Sequence, residues 1–146
     1  MSINLFDAAL GIEGSEPVEI NVGEDFTLSL RTAHTGQQVV AFSAIEEKRT
    51  LDSLNVYNNK KLSESARETA LAKINASYAK ELLQNLCTED SKAEDIEGAA
   101  KLIADLAPTP RLRVYRQIGI LSGVVDEDGN PFPSTKSSKT KKSTNG

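Results

Sequence analysis

The chain has 146 residues, 38% of them apolar and 26% charged, with a net charge of −4, one cysteine and one histidine. That length can bury a core of its own without staples, while a lone cysteine excludes an intramolecular disulfide and one Cys plus one His cannot build a structural zinc site. The acidic balance argues against broad nucleic-acid binding by the folded part, and no apolar run approaches the roughly 20 residues of a transmembrane helix.

The N-terminus, MSINLFDAALGIEGSEP, has no basic n-region and no long apolar stretch, so it does not read as a signal peptide. Together with the lone cysteine this predicts a soluble, cytoplasmic protein. Leu5, Phe6, Ala9 and Leu10 suit one short helical group, ended by Gly11 and Gly14. Pro17–Val22 and Phe26–Arg31 each place apolar residues at every second position, around Gly23-Glu24-Asp25. Two such runs across a short Gly-containing loop predict a β-hairpin. Val18, Ile20, Val22, Phe26, Leu28 and Leu30 then share the core face. Glu19, Asn21, Thr27, Ser29 and Arg31 face water.

Val39–Phe42 fits a third strand, or the start of a helix running to about Leu54 with Val40, Ala44, Ile45, Lys48, Leu51 and Leu54 on one side. The Ala, Glu and Lys content of residues 43–54 favours the helix, and Asn55–Lys61 reads as a loop. Ser63–Leu86 is the strongest helix, capped by Ser63, with Ala66, Ala70, Leu71, Ile74, Tyr78, Leu82 and Leu86 at three- and four-residue steps. Ser91 and Glu94 have capping-box spacing for a helix through Ile96, Ala99, Ala100, Ile103 and Leu106, which Pro108 stops. Thr109-Pro110 opens a last helix with Leu112, Tyr115, Ile118 and Leu121 as its stripe and Gly123 as its C-cap. Asp126–Asn130 is a turn.

Pro131–Gly146 holds four lysines, no acid and one large apolar residue, Phe132, which leaves −8 on the first 130 residues. The expected organisation is a folded domain over residues 1–130 and a flexible Lys/Ser/Thr-rich tail over residues 131–146. The fold class is α+β: a mainly helical single domain with an N-terminal β-hairpin and a disordered basic C-terminal tail.

No catalytic, cofactor-binding or metal-binding residue is assigned. A nucleophile needs a positioned base, and the only such pair, Cys87 and His34, has no local cation to activate the thiol. There is no phosphate-cradling Gly-rich loop. Glu89, Asp90, Glu94, Asp95 and Glu97 read as a solvated face that complements a helix N-terminus. Arg111, Arg113 and Arg116 flank Tyr115 and suit a protein interface better than nucleic acid on so acidic a body. Partner-binding candidates are Leu112, Tyr115, Arg116 and Ile118, with Tyr78 and Leu82 opposite; for the apolar members a core role competes with binding.

The order NLFDAALG, then EPVEINVGEDFTLSLR, then the helices through YAKELLQNLCTEDSKAEDIEGAAKLIADLAPTPRLRVYRQIGILSGV, then GNPF and a Lys/Ser-rich end, resembles the tail assembly chaperones of long-tailed bacteriophages. The resemblance is one of layout over most of the chain. It implies a compact, mostly helical, non-enzymatic protein of the host cytoplasm that binds the tape measure protein and helps recruit tail tube subunits. It also implies a longer product made by ribosomal frameshifting near the C-terminus, where a Lys141-Lys142 pair suits an A-rich slippery codon run. It carries no residue role. A homo-oligomer is compatible with it; a membrane partner is not expected. Two other readings stand beside it: a structural connector or tail component whose hairpin joins a neighbour's sheet, and a small nucleic-acid-binding regulator.

Overall fold

The computed structural model describes residue 5, residues 16–126 and residue 128. The expected N-terminal helical group (Phe6, Ala9 and Leu10), the rest of the Asp126–Asn130 turn and the 131–146 tail lie outside the described residues. Among the described residues the architecture is α+β, a two-stranded antiparallel hairpin followed by four helices. The elements are β1 (Val18–Val22), β2 (Phe26–Leu30), α1 (Gly36–Asn58), α2 (Glu64–Leu86), α3 (Ala93–Ala104) and α4 (Pro108–Ser122).

The hairpin forms as expected and brings the six apolar residues together in register: Val18 pairs with Leu30, Ile20 with Leu28 and Val22 with Phe26. Gly23 takes φ 66° in the connecting turn, a left-handed backbone that a side chain would strain. The two strands are not equivalent. Leu28 and Leu30 of β2 are fully buried, whereas Val18, Ile20 and Val22 of β1 are half-buried. The reason lies on the outer side of β2, where the junction between α2 and α3 is hydrogen-bonded to it like a further strand. Arg31 N–H donates to Leu86 O at 2.7 Å and Thr88 N–H donates to Ser29 O at 2.8 Å, with Leu30 bridging Cys87. Ser29 N–H donates to Ser91 Oγ at 2.8 Å, and the Arg31 guanidinium donates to Asn85 O at 2.6 Å.

These bonds correct two expectations. Ser29 and Arg31 are half-buried at the junction rather than facing water. Ser91 does not cap α3: the N-cap is Lys92, with no side-chain hydrogen bond, because the Ser91 hydroxyl is committed to Ser29.

Val39–Phe42 is helical. Thr35 closes a reciprocal capping box with Gln38 at 3.1 and 2.9 Å, which settles the segment as the first turns of α1. That helix runs on through Asn58, so most of the expected 55–61 loop is helix too. Its inner face also differs from expectation. Phe42 is buried, with Ile45, Arg49 and Val56 half-buried, while Val40, Leu51 and Leu54 are 70%, 54% and 50% exposed. The short connection Asn59–Ser63 turns the chain back, and α1 and α2 pack as a helical hairpin. Ser63 caps α2 as expected, accepting from Ala66 N–H at 3.1 Å; Ala66 itself is exposed and the buried stripe is Tyr78, Ala79, Leu82, Leu83 and Leu86.

Helix α3 buries Ile96, Ala99, Ala100 and Ile103 and ends at Ala104, two residues before Leu106. Gly98 faces β2, and a Cβ there would come within 2.3 Å of the Phe26 ring. Pro108 begins α4 rather than stopping α3: with Ala107 as N-cap, its missing N–H falls where a helix has no intrahelical acceptor. Gly123 ends α4 at φ 80°, as expected from its position. The core joins Leu28 and Leu30 to the buried stripes of α2 and α3, with Phe42, Ile118 and Val124 closing it.

Ser91→Ala removes the acceptor of the half-buried Ser29 N–H. The expected loss is about 1–3 kcal/mol, read as a lower urea midpoint at unchanged slope; an unchanged midpoint would show that the junction does not depend on this bond.

Candidate functional site: two grooves over the helices

The sequence-selected residues come from helices far apart in the chain, and five of the six line one groove. Its volume is about 410 Å³, and its walls are Phe42, Glu46 and Arg49 of α1, Tyr78, Leu82 and Leu86 of α2, and Leu112, Tyr115, Arg116 and Gly119 of α4, with Val125 and Asp128 beyond. Tyr78 and Leu82 are buried and form its floor. Leu112 stands 57% exposed at its lip, Tyr115 is half-buried and Arg116 is exposed. Ile118 is buried and faces elsewhere, so the expected α4 stripe is divided: Val114, Ile118 and Leu121 turn toward the hairpin side and Leu112 toward solvent.

A polar and aromatic cluster lines part of this groove. The Tyr78 hydroxyl donates to Glu46 Oε2, whose other oxygen lies 3.6 Å from Arg49 Nη2. The Arg49 guanidinium sits 4.4 Å from the centre of the Tyr78 ring, a cation–π contact. Tyr78 and Tyr115 pack T-shaped, their ring centres 4.9 Å apart at 86°. Two buried donors, Arg49 Nε and Tyr115 Oη, have no hydrogen-bond partner among the described residues. Burial pushes the Tyr115 phenol up to about 12, with the Arg111 and Arg49 charges opposing the rise. Burial also raises the Tyr78 phenol, and the charge and hydrogen bond of Glu46 add to it.

A second groove, of about 750 Å³, was not anticipated. It runs beside β1, between Ile20, Val22 and Gly23 on one side and Leu102, Ile103 and Leu106 of α3 with Val114, Ile118 and Leu121 of α4 on the other. Its lining is mostly apolar, with Asn21 and Gln117 as its polar members. No local pattern announces it, because it exists only once the hairpin is fixed on the α2–α3 junction.

The other sequence candidates have structural partners. His34 shares a hydrogen bond through Nε2 with Ser122 O at 2.8 Å, tying the segment before α1 to the end of α4. Cys87 is buried; burial pushes its thiol up, opposed by a hydrogen bond with Ser91 and the charge of Arg31. Arg111 donates to Leu106 O at 2.9 Å, holding the turn into α4. Asp126 Oδ1 accepts from Asp128 N–H at 2.9 Å in the turn after α4. Among the described residues no group of three His, Cys, Asp or Glu side chains is placed to hold a metal ion, and no helix is long and apolar enough to cross a membrane.

Comparison of the chain with protein-family models, with curated proteins and with solved structures finds no match.

The two tyrosines separate experimentally. Tyr115→Phe removes a hydroxyl that has no partner among the described residues, so stability stays unchanged or rises. Tyr78→Phe deprives Glu46 of its donor and costs about 1.5–3 kcal/mol, on the scale of hydrogen bonds to charged groups. Because burial raises the Tyr115 phenol from 10.0 to about 12 in the folded state, the group leaves stability unaffected below the unfolded value and lowers it as pH climbs from there to the folded one. Titration at 295 nm of wild type against Tyr115→Phe should show one phenolate missing from the variant near pH 12; a missing step centred on pH 10.0 contradicts the burial.

Proposed function

We propose that this chain is a non-enzymatic tail assembly chaperone of the long-tailed phage type. It holds an apolar segment of the tape measure protein and helps recruit tail tube subunits. The observation that carries the reading is the groove between α1, α2 and α4. Leu112 is exposed at its lip, Phe42, Leu82 and Leu86 form an apolar floor, and Arg49, Glu46 and Arg116 supply charge beside it. About 410 Å³ accommodates a few apolar side chains, which is what a partner helix inserts when it lies along a groove with anchors at i, i+3 or i+4 and i+7.

A second observation supports a protein whose work is contact. The outer face of α1 carries Val40, Ala44, Leu51 and Leu54 at three- and four-residue steps, interrupted by Glu47, and all of them are exposed. Grouped exposed apolar residues are the usual mark of an interaction surface. In this reading the groove takes one tail protein and the α1 face is available to another.

Co-expression with a tape measure protein of a long-tailed phage tests the proposal. The tape measure protein is expected to stay soluble and co-purify. Leu112→Asp, with its helical circular dichroism unchanged, should reduce the co-purified amount roughly tenfold, as loss of an interface anchor does. A tape measure protein that is equally insoluble with and without the chain overturns the reading.

A further inference from the structure

The hairpin is docked through only one of its two edges. The outer side of β2 is taken by the α2–α3 junction, through Arg31 to Leu86 and Thr88 to Ser29. On the outer side of β1 no described residue forms a strand, since the sheet has two strands in the order β1-β2. Half of the N–H and C=O groups of β1 therefore point away from β2 without a ladder partner among the described residues. Such an edge accepts an extended backbone rather than a helix. Beneath it lies the groove of about 750 Å³, lined by Ile20, Val22, Leu102, Leu106, Val114 and Leu121. A strand added next to β1 would stand about 4.8 Å further out and lay alternate side chains over that groove.

The sequence of β1, Val18-Glu19-Ile20-Asn21-Val22, identifies the occupant. Set antiparallel to itself about Ile20, it pairs Val18 with Val22 of a second copy, Ile20 with Ile20, and Glu19 with Asn21. Every apolar residue of the core face then meets an apolar residue. The only charge on the strand meets an amide instead of its own copy, so no like charges stand opposite one another. A one-residue slip would place core-face residues against solvent-face ones and forfeit this match. From this we infer that β1 is the interface of a symmetric homodimer, in which two hairpins form one four-stranded sheet in the order β2-β1-β1-β2 and the core-face valines and isoleucine of each copy cover the groove of the other. A two-fold axis through Ile20 makes the contact isologous and closed, so it ends at two copies. Five residues on each side make a small contact, and the dimer is therefore concentration-dependent.

Glu19 and Asn21 give the test because both are exposed on the solvent face of β1. Asn21→Glu keeps an acceptor for the Thr27 hydroxyl, which donates to Asn21 Oδ1 at 2.9 Å, so the hairpin itself is retained. In the dimer it sets Glu19 opposite a second glutamate, twice by symmetry. Sedimentation equilibrium of the full chain over a wide concentration range should show a monomer–dimer equilibrium for wild type. Asn21→Glu should raise the dissociation constant roughly tenfold, from two like-charge cross-strand pairs. The double variant Glu19→Lys/Asn21→Glu should return it to the wild-type value or below, by placing Lys opposite Glu. A chain that stays monomeric at every concentration overturns the inference. So does a dimer whose dissociation constant is the same in all three proteins, which would assign association to another surface such as the outer face of α1. The tape measure experiment reads a different groove, so either proposal can fail without the other.

Discussion

The backbone bonds between β2 and the α2–α3 junction decide the rest of this structure. A two-stranded hairpin is marginal in water unless its apolar face and its edges find partners. Here Arg31 N–H to Leu86 O and Thr88 N–H to Ser29 O extend the sheet pattern into the end of a helix, and the Ser91 hydroxyl completes it by accepting from Ser29 N–H. One edge is thereby paired and Leu28 and Leu30 are driven into the core. The same docking leaves β1 outermost among the described residues and opens the apolar groove beside it. Gly98 follows from this arrangement too: α3 passes so close to Phe26 that any side chain at that position meets the ring.

The helical half is organised by a different constraint. The α1–α2 hairpin buries Tyr78, and a buried phenol left without an acceptor is costly. Glu46 on the facing helix supplies one, and Arg49 lies beside that carboxylate and over the ring. Tyr115 of α4 packs edge-on against the same ring, so the cluster links three helices that share little sequence proximity. It also gives the groove its mixed character, apolar at the floor and charged at the wall, which suits an amphipathic segment better than a purely apolar one.

Much of the fold was legible in the sequence because the signals were local. The register of the hairpin follows from strict alternation on both sides of Gly23, and the ends of α2 and α4 follow from Ser63 and Gly123. The failures have physical causes. α1 has apolar residues on opposite faces, Phe42 and Ile45 inward and Val40, Leu51 and Leu54 outward, so periodicity alone could not say which side is buried. The Thr35–Gln38 capping box was present in the sequence and would have distinguished helix from strand at Val39–Phe42. The Ser91–Glu94 spacing suits a helix cap, but a partner 62 residues away takes the Ser91 hydroxyl. Of the candidate site, Tyr78, Leu82, Leu112 and Tyr115, which lie on helical stripes, and Arg116, one of the arginines flanking Tyr115, do share a groove. Ile118 does not, and the groove beside β1 was invisible because it is made by tertiary placement rather than by any motif.

Amide hydrogen exchange on the full chain tests the central claim, that the hairpin is held through β2 and open along β1. The amides of Ser29, Arg31 and Thr88 are predicted to exchange only with global unfolding, as core backbone bonds do. In dilute protein the alternate amides of β1 that point away from β2 are predicted to exchange through local fluctuation, orders of magnitude faster. Equal protection on both sides of the hairpin in dilute solution, or fast exchange at Arg31 and Thr88, would contradict the account.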